Sequence, residues 1–175
     1  MKSAEEIISF LDLMKHPEGG YYREVYRSDE ILSKEHLPER FTMDHTLSTS
    51  IYFLLSRDTF SAFHTIKQDE IWHFYGGAPL DVHIIHPDGN HMPLRLGSIL
   101  EGELPQGTIP AGTVFGAKVC EHPEYDYALV GCAVAPGFEF DDFTLHSRAE
   151  LLRRFPQHRT LVMSLTREDA GDGIV

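Results

Sequence analysis

Residues 60–77 read FSAFHTIKQDEIWHFYGG. Two runs of aromatic and β-branched residues flank the polar KQD at 67–69, the pattern of two strands joined by a tight turn. Side chains alternate faces along a strand, so an inward His64 brings Phe60, Ala62 and Ile66 inward with it and sends Ser61, Phe63 and Thr65 outward. Past the turn, Glu70 shares its face with Trp72 and Phe74, while His73 and Tyr75 take the other. The stretch therefore predicts an apolar cavity walled by Phe60, Ile66, Trp72 and Phe74, with His64 and Glu70 as its ionisable centre.

Similar runs recur on both sides of this hairpin: YYREVYR (21–27), STSIYFLLS (48–56), LDVHIIH (80–86), MPLRLGSIL (92–100), GTVFGAKV (112–119) and YALVGCAVA (127–135). Turn signals such as GGAP, PDGN and IPAG separate them, which describes an all-β sandwich or barrel. Helical spacing is confined to the two ends. AEEIISFLDLM at 4–14 repeats Ile7, Ile8, Leu11 and Met14, with Ser3 and Glu6 spaced as a capping box, and RAELLRRF at 148–155 is the second such segment. TREDAGDGIV at 166–175 is polar and glycine-containing and reads as a frayed tail. Without an internal repeat or linker, the chain reads as a single domain. Its parts are an N-terminal helix at 1–15, a barrel at 20–140, a helical segment at 141–160, and a closing segment and tail at 161–175.

Composition narrows the partners. Fifteen Lys and Arg stand against 27 Asp and Glu, a net charge of −12, so the average surface repels nucleic acid and anionic membranes. No run reaches membrane-spanning length, and the first 14 residues carry Glu5 and Glu6 inside their apolar stretch, unlike a signal peptide; the expected location is cytoplasmic. Cys120 and Cys132 lie in separate strand-like segments and read as free thiols.

His64, Glu70 and Gly77 are spaced as in the first motif of the cupin superfamily, and Pro110 and Gly112 in IPAGTVF (109–115) as in its second. HPEGGYYREVYRS (16–28), DEIWHFYGGAPL (69–80) and APGFEFDDF (135–143) more specifically resemble one uncharacterised subfamily, the domain of unknown function DUF985, grouped with the dTDP-sugar epimerase-like (RmlC-like) cupins. The resemblance implies a double-stranded β-helix, or jelly-roll barrel, and a homodimer. It also implies metal-ligand positions at His64, residue 66, Glu70 and residue 115, but two of these hold Ile66 and Phe115, which have no ligating atom. His83 could replace one of them only if LDVHIIH turned its odd-numbered side chains inward, where Leu80, Val82 and Ile84 compete for the face. The expectation is a protein without metal or other cofactor. By the same resemblance His64 is the candidate base, oriented by Glu70, with Tyr127 as candidate acid, and Phe115, His83 and Arg23 join the ligand-binding wall. The small-molecule ligand is then sugar-like, and the protein is either a metal-independent epimerase or isomerase or a non-catalytic binding protein; a third reading, a metal-dependent cupin enzyme, needs ligands that the sequence does not show.

Overall fold

A computed structural model describes residues 3–168. The chain opens with α1 (Ala4–Leu11), where the Ser3 side chain accepts from the Glu6 N–H and the Glu6 side chain accepts from the Ser3 N–H, the reciprocal capping box that the sequence predicts. Asp12 ends the helix in the left-handed conformation.

The strands follow in two facing sheets. One is built from β1 (Met14–Lys15), β2 (Tyr21–Arg27), β5 (Thr49–Ser56), β7 (Glu70–Gly77), β10 (Gln106–Ile109) and β12 (Tyr127–Val134), in the order β1-β2-β5-β12-β7-β10. The other is β13-β6-β11-β8-β9, formed by β6 (Phe60–Thr65), β8 (Leu80–Ile85), β9 (His91–Leu96), β11 (Val114–Val119) and β13 (Thr144–Leu145). A two-stranded ribbon of β3 (Ile31–Leu32) and β4 (His45–Thr46) sits beside them. All pairings within the sheets are antiparallel, and the chain alternates between the sheets from β5 to β8 and again from β10 to β12, as in a jelly roll.

Three apolar layers hold the arrangement. Between the sheets lie Phe53, Leu55, Trp72, Leu80, Val82, Ile84, Phe115 and Val130, all buried. Outside the five-stranded sheet, Phe63, Ile85 and Val114 pack under α2 (Arg148–Arg154) and α3 (Arg159–Ser164) through Leu151, Phe155, Val162 and Leu165. Outside the six-stranded sheet, α1 covers Leu54 and Tyr127. Phe63 and His64 are neighbours with 0% and 2% exposure, so β6 is buried on both faces.

Residues 106–109, outside the strand-like runs of the sequence, form a strand because they extend the six-stranded sheet along β7, pairing Thr108 with Ile71 and Ile109 with Glu70. Three expectations need correction. The helical segment continues past 160 into α3, since the Val162 and Leu165 side chains complete the outer layer. The expected tail begins too early, because Thr166 is buried and Arg167 bonds to the N-terminal turn; the rest of it, 169–175, lies outside the described residues. The alternation along β6 is also broken. His64 pairs with Phe115 and Ser61 with Ala117, so three residue steps on β6 oppose two on β11. This bulge puts Ser61 and His64 on one face, while Phe60 joins Phe63 on the other.

Candidate ligand cavity

The site starts from a five-residue turn. In HPEGG, His16 N–H donates to Gly20 O at 3.1 Å and Gly19 N–H donates to His16 O at 3.0 Å. Gly19 has φ +121°, and a Cβ there would overlap the Phe60 carbonyl oxygen. Only glycine lets the turn lie this close to β6, where Ala62 N–H donates to Glu18 O at 2.9 Å. Arg167 braces the turn from the far end of the chain, donating to Glu18 O at 2.7 Å and to Pro17 O at 3.3 Å.

Glu18 is thereby delivered, buried, beneath His64. Its Oε1 accepts from Ser61 Oγ at 2.6 Å, and its Oε2 lies 3.2 Å from His64 Nε2 and 3.4 Å from His16 Nδ1. His64 Nδ1 lies 2.7 Å from the Ala62 carbonyl oxygen, which can only accept. His64 therefore carries its proton on Nδ1, and the Nε2–Glu18 contact needs one more proton shared between the two groups. Burial depresses His64 to about 4, against the backbone hydrogen bond, and burial raises Glu18. Burial therefore opposes charge on both members of the pair. The carboxylate beside His64 is thus Glu18 and not Glu70, a correction that follows from the Gly19–Gly20 turn bringing residue 18 to the place assigned to residue 70.

Glu70 lines the same cavity separately. Burial pushes it up to about 8, with the Trp72 indole acting against that, the Glu18 charge adding to it and the Cys132 thiol opposing it. The Trp72 N–H is near enough to weigh on Glu70 but makes no hydrogen bond to any described group. The two shifts give opposite pH dependences. His64, depressed to about 4, binds fewer protons folded than unfolded between about 4 and its ordinary 6.5, so it makes stability rise with pH there. Glu70, raised from 4.5 to about 8, binds more protons folded than unfolded across that window, so it makes stability fall as pH rises. Above about pH 6.5 only the carboxyl effect remains. Urea unfolding is expected to show stability falling from pH 6.5 to 8 in the wild type and falling less steeply in Glu70→Gln, where Glu18 is still raised by burial. An equal slope in both would show that Glu70 does not titrate there.

The cavity encloses about 380 Å3, near the lower end of the range for small-molecule sites. Tyr22, Ile51 and Phe53 wall it on the six-stranded sheet together with Trp72, Cys132 and Val134, and Ile66 closes the β6 side. Phe138, Glu139, Phe140 and Phe143 line it from the segment that follows β12. Phe140 stacks on His16 with centroids 6.2 Å apart and planes at 26°, and Phe143 lies 5.3 Å from the His64 ring. Two polar ties hold this strap. Arg27 donates twice to Glu24, at 3.0 and 2.9 Å, and also to Glu139 at 2.7 Å and Phe138 O at 3.0 Å. Buried Asp142 Oδ2 accepts from Gln68 Nε2 at 2.7 Å and lies 2.7 Å from His45 Nε2, with Lys67 Nζ 3.1 Å from Oδ1.

Of the residues singled out from the sequence, His64, Glu70, Ile66 and Trp72 meet at this cavity. Phe60 does not, because the β6 bulge turns it to the outer layer, where Arg167 lies over its ring at 5.3 Å. Phe74 keeps its inward face but packs on the core away from the cavity. Phe115 is buried behind His64 with ring centroids 4.0 Å apart, a support and not a wall. His83 points outward, since Val82 and Ile84 hold the inner face of β8, and its Nδ1 lies 3.1 Å from His91 Nε2. Tyr127 lies on the outer face of β12 under α1, because Ala128, Val130 and Cys132 take the inner one; it is too remote to act as the acid. Arg23 reaches the rim of the cavity, but its guanidinium donates to Leu11 O at 2.8 Å, at the end of α1. The sequence reading missed His16, Glu18 and the phenylalanines of 138–143. Their signal was available: a glutamate followed by two glycines, and an aromatic cluster in APGFEFDDF, each in a loop where packing alone does not call for it.

These residues do not fit the metal that cupin ligand positions imply. His64 has both ring nitrogens engaged, Ile66 and Phe115 supply no donor, and no group of three or more His, Cys, Asp or Glu side chains among the described residues is placed to hold a metal ion. No helix among the described residues is long and apolar enough to cross a membrane.

A jelly roll of two antiparallel sheets enclosing a cavity between them, with a histidine and a glutamate on successive strands of opposite sheets facing it, defines a cupin. Residues 5–146 match the Cupin superfamily (DUF985), and the chain belongs to that family. It is 39% identical to protein SO0799 from Shewanella oneidensis, whose crystal structure superposes with a TM-score of 0.83 over 97% of this chain and 100% of that one. A hypothetical protein from Leishmania major is 33% identical, with a TM-score of 0.86 over 95% of this chain and 100% of its own. The uncharacterized protein YML079W of Saccharomyces cerevisiae is 30% identical over 152 residues, 81% of this chain and 74% of that protein.

Proposed function

We propose that this cupin is a small-molecule binding protein that encloses its ligand between the two sheets, with Glu18, His64 and Glu70 as the polar centre. The observation that carries this reading is the pairing of His64 with Glu18 on the wall of an aromatic-lined cavity, where a hydrogen-bonded polar group is retained at the cost of its desolvation. Neither ring nitrogen of His64 is free to approach a substrate proton, which favours recognition over turnover. Trp72 is the chain's one tryptophan and lines the cavity, so its emission reports occupancy directly. Titration with a panel of small polar metabolites is expected to give a saturable change for at least one of them, with affinity about tenfold weaker in a folded His64→Ala variant. A panel without any response, or one to which both proteins respond equally, would sink this reading.

A second reading rests on Glu70. A carboxyl that keeps its proton at neutral pH inside a cavity is a general acid in waiting, and the neighbouring His64–Glu18 pair is a second site for a proton. In a metal-independent isomerase or epimerase, the C–H bond next to a substrate carbonyl breaks and its proton passes to the His64–Glu18 pair. Its electron pair moves into the carbonyl, whose oxygen takes the Glu70 proton; the reverse steps regenerate both groups. Exchange of ligand hydrogen with deuterated solvent, lost in Glu70→Gln while binding persists, would establish it. Bound ligand that exchanges no hydrogen leaves the binding reading alone.

A further inference from the structure

The cavity faces more acidic groups than basic ones. Its lining contains four carboxyl groups, Glu18, Glu24, Glu70 and Glu139. The one guanidinium directed to it, that of Arg27, is already held by Glu24 and Glu139, while Arg23 is turned to the Leu11 carbonyl. His16 and His64 are both pushed down by burial and bring no compensating charge at neutral pH. Aromatic faces surround these carboxyls on several sides: Tyr22, Phe53 and Trp72 on the sheet, Phe138, Phe140 and Phe143 on the strap.

A second observation points to an occupant. The Trp72 indole N–H is buried in the cavity wall, with 1% exposure of the residue, and has no hydrogen-bond partner among the described groups. A buried donor left unpaired costs stability unless something completes it. Together with the Cys132 thiol, it favours the ionised form of Glu70. Burial keeps the proton on Glu70 at neutral pH, and a positive charge beside it would bring out the carboxylate that these two groups favour. Ring faces attract cations and leave anions without a counterpart.

We infer that the cavity takes a small organic cation, an amine or quaternary ammonium compound, held against the aromatic faces and paired with Glu70. This rests on the reading of the cavity as a ligand site and names its ligand class. A space of about 380 Å3 admits one such molecule with a single ring or a short chain.

The test compares phenyltrimethylammonium with tert-butylbenzene, which has the same shape without the charge, and with benzoate, which carries the opposite charge. Binding is followed at neutral pH by calorimetry and by the emission of Trp72. The cation is expected to bind at least tenfold more tightly than tert-butylbenzene, and benzoate more weakly than either. Glu70→Gln, which keeps the size of the side chain, is expected to bring the cation to the level of tert-butylbenzene and to leave tert-butylbenzene binding unchanged. If tert-butylbenzene or benzoate binds as tightly as the cation, or if Glu70→Gln leaves the preference intact, the cation assignment is overturned and the ligand site stands. If none of the three binds and the metabolite panel also gives no response, both fall together. If a panel member binds while these three do not, only the cation assignment is lost.

Discussion

Gly19→Ala is expected to be among the most damaging single-methyl substitutions in the protein, lowering stability by more than about 3 kcal/mol. Two costs coincide at this position. The backbone has φ +121°, a region closed to residues with a Cβ, and the added carbon would overlap the Phe60 carbonyl oxygen, a backbone atom that cannot swing aside. Relief requires the HPEGG turn to lift from β6, which breaks the Ala62 N–H to Glu18 O bond and draws Glu18 away from both Ser61 and His64. Ligand affinity should therefore fall together with stability. Chemical denaturation of the variant settles the first point and Trp72 titration the second. A loss below about 1 kcal/mol would mean that the turn relaxes more easily than its contacts indicate. Gly102 has a comparable φ of +81° but open space around it, so Gly102→Ala pays for its conformation alone and serves as the control.

The second large effect is expected at Asp142, which does not line the cavity. Its buried carboxylate meets His45 and Gln68 on one oxygen and Lys67 on the other, three groups from two different segments of the chain. Asp142→Ala leaves all three facing an empty space inside the protein, and a buried polar network that loses one charged member costs about 3–5 kcal/mol. Asp142→Asn keeps one acceptor oxygen and should lose clearly less. Because the same residue fixes the strap that carries Phe138, Phe140 and Phe143, thermal or urea unfolding should show the stability loss, and ligand titration a weaker grip in whatever fraction stays folded. If the alanine variant unfolds like the wild type, the strap is held by its aromatic contacts and by Arg27 instead.

Sequence and structure agree where local alternation decides the outcome. The runs in β5, β8 and β12 alternate so that one face fills the core between the sheets, and His64, Ile66, Glu70 and Trp72 reach the cavity as their positions require. Phe60 went astray because β6 is covered on both faces. Apolar residues suit either side of it, and a one-residue bulge leaves no trace in the pattern. Tyr127 was misplaced for a simpler reason: its neighbour Ala128 and not Tyr127 belongs to the inner face, and both are apolar enough for the core. Glu18 could not be placed by periodicity at all. It sits in a turn, and its partners Ser61 and His64 lie on a strand more than forty positions away; the Glu18–Ser61 separation is 43. Contacts made across such distances are set by topology, which a single sequence displays only through the turn chemistry of its glycines.

The brace between Arg167 and the carbonyl of Glu18 spans 149 positions. A ribosome adding roughly 5–20 residues per second needs on the order of 7–30 s to travel between them. The strands that form the two sheets are all made before Arg167 is, so a nascent chain can assemble its walls while the residue that steadies Glu18 does not yet exist. The brace on the turn thus comes after the shell that it serves.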